Sequence, residues 1–66
     1  MKAQKKRDVL KVLKANGWQL VRTTGGHDWW EGPDGQGEAI PRHGEISPGI
    51  IRKLSKKLAE VPQNWK

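Results

Sequence analysis

Hydrophobic positions near the beginning of the chain recur at the spacing of a helix. Between about Ala3 and Asn16, apolar side chains fall three and four positions apart among lysines and arginines: Val9, Leu10, Val12 and Leu13. This period predicts an amphipathic helix. Asn16 and Gly17 are predicted to end it, because glycine adopts the left-handed backbone that closes a helix without a Cβ clash.

A second helical pattern follows Ser47. Ser47 is predicted to be the N-cap, Pro48 the first helical residue, and Ile46 is predicted to pack back on Ile51. The buried stripe of this helix is predicted to contain Ile50, Ile51, Leu54 and Leu58. Val61 and Pro62 are predicted to stop the helix, since proline cannot continue the hydrogen-bond pattern.

A glycine-bearing turn joins two segments whose residues suit β-strands. The first strand is predicted over residues 18–22 and the second over residues 27–31. If residues 23–26 form the loop, Arg22 and His27 become cross-strand neighbours with Cβ atoms about 5 Å apart. We therefore expect fixed positive charge beside an imidazole that can accept a proton near neutral pH.

Two adjacent tryptophans in the second strand are predicted to point in opposite directions. The period of two places Trp29 on one face with His27 and Glu31, and Trp30 on the other face with Asp28. One tryptophan can therefore fill the core. The other, on the opposite face, could stack on a base, cover part of a partner or simply pack on the surface.

A dense run of turn-forming residues at 32–37 separates the second strand from a short third strand at 38–42. Pro41 indicates an edge position for the third strand, because proline cannot donate to a strand ladder. Two amphipathic helices and one small sheet bury their apolar surfaces only if both helices lie on the same sheet face. We therefore predict an α+β fold with a double-stranded-RNA-binding-like α-β-β-β-α order. Residues 1–66 are expected to form one domain, with a loose tail at 62–66 in which Trp65 could dock on the domain or on a partner.

Charge and composition indicate which classes of function suit the chain. Thirteen lysines and arginines against seven acidic residues give the 66-residue chain a net charge of +6, which is typical of proteins that bind nucleic acid. The chain has no cysteine, so neither a disulfide nor a thiolate metal site is expected, in agreement with a reducing cytoplasm. Apolar runs are short and the N-terminal segment lacks the apolar core of a signal peptide, so neither a membrane span nor export is expected.

Several short motifs occur together in a fixed order: Gly17-Trp18, Arg22, Gly25-Gly26-His27 followed by aromatic Trp30, Pro33-Asp34-Gly35, Ile40-Pro41-Arg42-His43 and Pro48-Gly49. In these motifs the chain resembles the HicA toxins, small ribonucleases of bacterial and phage toxin–antitoxin systems. The central motif of that family is glycine, usually serine, and then the histidine on which cleavage depends. His27 has the place of this histidine, Gly26 stands where serine is usual, and Asp28 stands where some members have a second histidine.

The resemblance implies an endoribonuclease that cleaves messenger RNA without a metal or other cofactor. It also implies His27 as the catalytic residue and neutralisation by a HicB-type antitoxin protein. In chemical terms, a neutral imidazole could remove the proton of a ribose 2′-hydroxyl, whereas no general acid can be identified. Candidate RNA contacts are Arg22, the Gly25 and Gly26 amides, Trp29, Arg42, Lys5 and Lys6.

Other readings of these residues remain open on the sequence alone. The chain could be a non-catalytic module that binds RNA or DNA, or an interaction protein whose open sheet face binds a partner. His27 could merely cap the turn, His43 could be structural or contact a phosphate, and the helix lysines could form a solvated face. A metal site is not expected, because the acidic and histidine residues lack a recognised ligand spacing: His27, Asp28, Glu31, His43 and Glu45.

Overall fold

The computed structural model describes residues 2–42 and 44–65. In chain order the elements are β1 (Gln4–Lys5), α1 (Lys6–Ala15), β2 (Gln19–Thr24), β3 (His27–Glu31), β4 (Gly37–Pro41), β5 (Glu45–Ile46), α2 (Pro48–Lys57) and a 3-10 helix (Gln63–Trp65). Strands β2, β3 and β4 form an antiparallel sheet in that order, and β1 pairs separately with β5. The predicted α+β fold, with its double-stranded-RNA-binding-like α-β-β-β-α arrangement, is confirmed.

Both helices pack on one face of the three-stranded sheet. That face carries Trp30 from β3 and Ile40 from β4, both of which are buried. They join side chains from both helices and from the segments that flank them in a single core cluster: Val9, Leu13, Trp18, Ile46, Ile51, Leu54, Leu58 and Trp65. The opposite face of the sheet, which carries His27, Trp29 and Glu31, is called the open face below.

Strand β3 lies in the centre of the sheet and β4 at one edge. The edge position predicted from Pro41 is therefore confirmed, and Pro41 is the last residue of β4. His27 pairs with Pro41, so the beginning of β3 and the end of β4 lie side by side. This arrangement brings the β2–β3 turn and the segment that follows β4 to the same end of the sheet.

Helix α1 begins at Lys6, later than the predicted start near Ala3. The residues before it form β1, which pairs with β5 through Gln4 opposite Ile46, and the Lys6 amide donates to the Gly44 carbonyl at 3.1 Å. This pairing joins segments about forty positions apart, and a local helical period carries no information about it. The predicted end is confirmed, since Asn16 is the C-cap and Gly17 has a φ of +81°.

Helix α2 begins as predicted, with Ser47 as N-cap and Pro48 in the first turn. The cap is made by the main chain, because the Ser47 carbonyl accepts from the amides of Ile50 and Ile51, both at 3.1 Å. The helix ends at Lys57, before the predicted stop at Val61 and Pro62, because Leu58 already has an extended backbone. Among the described residues no helix combines the length and the apolar character needed to cross a membrane.

The segment after α2 is ordered on the domain. Residues Gln63–Trp65 form a 3-10 helix, and Trp65 is only 1% exposed within the core cluster. Side-chain bonds of Asn16 to the main chain of Glu60, both 2.9 Å, hold the approach to this helix against the end of α1. The loose tail expected at 62–66 is therefore wrong for residues 63–65, and Trp65 docks on the domain itself.

Candidate active site at the turn between β2 and β3

A two-residue turn, Gly25-Gly26, connects β2 to β3. Gly25 has a φ of +54° whereas Gly26 does not have a positive φ, the combination found in type II′ hairpin turns. Thr24 and His27 pair across the base of the turn. The expected four-residue loop at 23–26 is thus wrong, because the β-branched threonines continue the strand and two glycines suffice to reverse the chain.

This shorter turn changes the neighbours of the histidine. Arg22 pairs with Trp29, and His27 pairs with Thr24 on β2 and with Pro41 on β4. The expected cross-strand pair of Arg22 and His27 is therefore wrong. Thr24, which the sequence analysis did not single out, places a hydroxyl-bearing side chain next to the imidazole instead.

His27 is exposed on the open face, at the end of the sheet that carries the turn. Neither α1 nor α2 covers this face, since both pack into the core on the other side of the sheet. A polynucleotide can therefore reach the ring. The neighbouring Gly26 has open space where a Cβ would stand. A serine, which is usual at this position in the toxins that the sequence resembles, would therefore fit there.

Arg22 lies on the open face because β2 contains a bulge. The register of β2 against β3 shifts between Leu20, which pairs with Trp30, and Arg22, which pairs with Trp29. The extra residue, Val21, turns the following side chains to the opposite face. Arg22 is exposed and lies diagonally across from His27, with Cβ atoms about 7 Å apart.

Asp28 organises a second group of charges on the helix-facing side of the sheet. Its carboxylate accepts from Lys6 Nζ at 3.1 Å and from the Thr23 hydroxyl at 3.0 Å, and Arg42 Nε lies 3.8 Å away. Asp28 is only 8% exposed. The carboxylate therefore contacts side chains from α1, from β2 and from the segment that follows β4.

Two of the predicted RNA contacts belong to this second group. The side chain of Lys6 is 21% exposed and that of Arg42 is 53% exposed. Lys6 is thus committed to the ion pair, away from the open face, whereas much of Arg42 is accessible at the edge of the sheet. The Arg42 amide also donates to the Gly26 carbonyl at 2.9 Å, which fixes Arg42 close to the turn. Lys5 is exposed in β1, beside Lys6 and Arg7.

The Asp28 ion pair predicts how stability depends on pH. The hydrogen bond from Lys6 is the largest cause that lowers the pKa of Asp28, burial opposes it, and the Thr23 hydroxyl and the charges of Lys6 and Arg42 lower it further. Since the folded pKa lies below the ordinary value of about 3.9, the stabilisation is complete above that value and is lost as pH falls through the folded pKa. Asp28→Asn should therefore lower the melting temperature at pH 7, and the difference from wild type should shrink below about pH 4. Melting curves of both proteins between pH 3 and pH 7 measure this, and a constant difference across that range would contradict it.

The two tryptophans of β3 lie where the alternation predicts. Trp30 is 4% exposed in the core, and Trp29 is partly exposed on the open face. The Trp29 indole Nε1 donates to the Glu31 carboxylate at 2.8 Å. Glu31 therefore lies on the same face as His27, and its contact with Trp29 was not predicted.

Of the residues considered for a metal site, the ones in β3 are divided between the two faces of the sheet. His27 and Glu31 lie on the open face, whereas Asp28 lies on the helix-facing side. Within residues 2–42 and 44–65, no three histidine, aspartate or glutamate side chains are grouped so that they could hold a metal ion. His43 lies outside the described residues.

Comparison with known proteins identifies the family. The family model for the HicA toxin of bacterial toxin–antitoxin systems matches residues 7–60, which include the turn, the three strands and α2. No curated protein and no solved structure matches the chain. The matched segment covers most of the 66 residues and places His27 within the family's domain. The chain belongs to the HicA toxin family of bacterial toxin–antitoxin systems.

Proposed function

We propose that the protein is an endoribonuclease that cleaves messenger RNA, with His27 as general base and without a metal ion. The observation that carries the proposal is the exposed imidazole at the end of the open face, in a chain that belongs to a toxin family. An imidazole accepts and returns protons near neutral pH, which makes it suited to this reaction. The substrate is found in the cytoplasm, where we propose that the protein acts.

In the proposed reaction, His27 removes the proton from a ribose 2′-hydroxyl. O2′ then bonds to the adjacent phosphorus, the bond between phosphorus and O5′ breaks, and O5′ takes up a proton from solvent. The products are a 2′,3′-cyclic phosphate and a 5′-hydroxyl end. Proton transfer by a positioned side chain contributes about 10²- to 10⁴-fold to such a rate.

Positive groups near the turn would stabilise the charge that develops on the phosphate. Arg22 lies on the same face as His27, and its long side chain can reach a phosphate bound beside the imidazole. The Gly25 and Gly26 amides at the turn are proposed as further donors to a phosphate oxygen. Arg42, which is accessible at the neighbouring edge, and Lys5 would contact phosphates farther along the strand.

The antitoxin is proposed to be a HicB-type protein that covers the open face. Membership of a toxin–antitoxin family implies an antitoxin partner. The open face is accessible, and an antitoxin seated on it would keep RNA away from His27. Neutralisation would then follow from steric exclusion of the substrate.

Cleavage of a defined transcript by the purified protein tests the proposed function. The protein should cleave a messenger RNA in buffer that contains EDTA, and end-group analysis should show cyclic phosphates and 5′-hydroxyl ends. A transcript with 2′-deoxyribose at the cleaved positions should resist cleavage, because it lacks the attacking hydroxyl. Cleavage that requires added Mg²⁺, or products with 5′-phosphates, would contradict this mechanism, and binding without cleavage would favour a non-catalytic RNA-binding module.

A further inference from the structure

We infer that the Trp29 indole is a surface on which one nucleobase stacks, and that Glu31 and Gly37 position the indole ring. This inference rests on the proposed RNA substrate. The stacking surface lies on the open face, two residues along β3 from His27. Its occupant is a base of single-stranded RNA whose sugar–phosphate backbone reaches the imidazole. Glu31 acts through the indole and is therefore a positioning residue.

The contacts of the indole fix its direction. Its Nε1 donates to Glu31 Oε2 at 2.8 Å, which draws the ring along β3 and away from His27. A Cβ built on Gly37 would stand 2.3 Å from Trp29 Cζ2 and 2.9 Å from Cε2, so the six-membered ring lies against the main chain of β4 at that residue. Only a residue without a side chain leaves room for the ring there.

The surroundings of the ring suit a nucleotide. Trp29 is partly exposed, whereas the neighbouring Trp30 is 4% exposed in the core. The cross-strand partners of Trp29 are Arg22 on β2 and Ala39 on β4, so a residue with a cationic side chain lies on one side of Trp29 in the sheet and a residue with a small side chain on the other. An aromatic surface next to a cation, with open space around it, is the arrangement that binds single strands by stacking.

Charge along the open face sets the orientation of the nucleotide. Arg22 makes the end of the face near the turn basic, whereas Glu31 makes the other end acidic. His27 and Trp29 are about 7 Å apart along the strand, since each residue of β-structure rises about 3.3 Å. The phosphate is therefore placed at the turn, and its base extends towards Trp29, with the acidic end of the face repelling a phosphate in the reverse orientation.

The test compares two oligonucleotides of equal charge. A fluorescein-labelled 2′-O-methyl RNA nonamer of mixed sequence cannot be cleaved through a 2′-hydroxyl, and a matched nonamer in which every position is abasic keeps the phosphates without the bases. Fluorescence anisotropy should show that wild type binds the base-bearing probe about 5- to 150-fold more tightly, the range expected for one stacked base. Trp29→Leu should bring this ratio close to one, because leucine covers Gly37 but has no aromatic face.

Matched variants separate the loss of base stacking from a loss of folding. Trp29→Phe should retain most of the preference for bases, and Gly37→Ala should lose it because the new methyl group displaces the ring. Glu31→Gln keeps an acceptor for the indole and should keep the preference, whereas Glu31→Leu should reduce it. Far-ultraviolet circular dichroism checks that each variant is folded; if Gly37→Ala is not, Trp29→Leu decides.

The outcomes distinguish this inference from the proposed function. His27→Ala should preserve the ratio between the two probes, because the probes report binding and not proton transfer. A ratio that is unchanged in Trp29→Leu, or a wild-type ratio near one, would overturn the stacking surface while leaving cleavage by His27 in place. In that event the ring would be a contact for a protein partner or ordinary surface packing.

Discussion

Replacing His27 with alanine is expected to lower the rate of RNA cleavage by about 10²- to 10⁴-fold. The imidazole is the proposed acceptor of the 2′-hydroxyl proton, and alanine can neither take nor return a proton. His27 is exposed, so its truncation removes no buried side chain and should leave the melting temperature nearly unchanged. Single-turnover cleavage of a labelled transcript, measured beside a melting curve of each protein, checks both parts of the prediction.

Three further variants make this result specific to proton transfer. His27→Gln keeps a side chain that can form hydrogen bonds but cannot act as a base, and should lose as much activity as His27→Ala. Thr24→Val keeps the shape of the cross-strand neighbour and reports what its hydroxyl adds. Gln19→Ala changes an exposed residue at the far end of β2 and should cleave as wild type does. If preparations of His27→Ala and His27→Gln free of contaminating ribonuclease cleave at the wild-type rate, His27 is not the catalytic base.

The same change should be visible in cells. Expression of the wild-type chain without an antitoxin is expected to arrest growth, and His27→Ala should relieve the arrest at an equal level of folded protein. The matched stability of the two proteins is what makes the comparison informative, since unfolded variants also fail to arrest growth. Growth arrest by the variant equal to that of wild type would point to toxicity through binding and not through cleavage.

Local patterns in the sequence were enough to predict most of the scaffold. The period of two in β3 predicted that Trp29 and Trp30 lie on opposite faces, because successive side chains of a strand alternate between its faces, and the structure adds that Trp30 is the one in the core. Pro41 located the edge strand, and Gly17 located the end of the first helix. Each of these features depends on a few neighbouring residues, which a sequence displays directly.

The candidate site was harder to predict, because two small irregularities control it. The turn uses two residues instead of four, which moves the cross-strand partner of His27 from Arg22 to Thr24. The bulge at Val21 then places Arg22 on the open face, although strict alternation from Leu20 would place it with the core. The shorter turn alone removes the expected pair of Arg22 and His27, whereas the bulge changes which face Arg22 shares with Leu20.

Contacts between distant segments were the second source of error. The ion pair between Lys6 and Asp28 joins residues 22 positions apart, and it was not predicted; it leaves the Lys6 side chain 21% exposed. The sequence shows both charges but not their distance. The pairing of β1 with β5 was not predicted for the same reason, since a strand of two residues is too short to show a hydrophobic period.

Replacing Trp65 with alanine is expected to lower the free energy of unfolding by about 3–5 kcal/mol, the usual cost of truncating a buried tryptophan. Trp65 is 1% exposed within the core cluster although it lies beyond the segment, residues 7–60, that matches the family. A domain of this size is stable by about 3–10 kcal/mol, so the loss is comparable with its whole stability. The variant should therefore unfold at a much lower urea concentration than wild type, and a large part of it should be unfolded at 37 °C.

Urea unfolding followed by far-ultraviolet circular dichroism measures this loss without relying on tryptophan fluorescence, which the substitution itself alters. Gln63→Ala is the matched control, because it shortens an exposed side chain in the same 3-10 helix and should unfold within about 0.5 kcal/mol of wild type. Trp65→Phe should lie between the two, since phenylalanine restores part of the buried area. Equal unfolding midpoints for Trp65→Ala and Gln63→Ala would show that the terminal turn does not hold the core together. A strong loss would instead mean that the fold that presents the open face depends on Trp65, although Trp65 lies in the core. Variants of Trp65 should then lose the proposed cleavage in proportion to their unfolded fraction and recover it at low temperature.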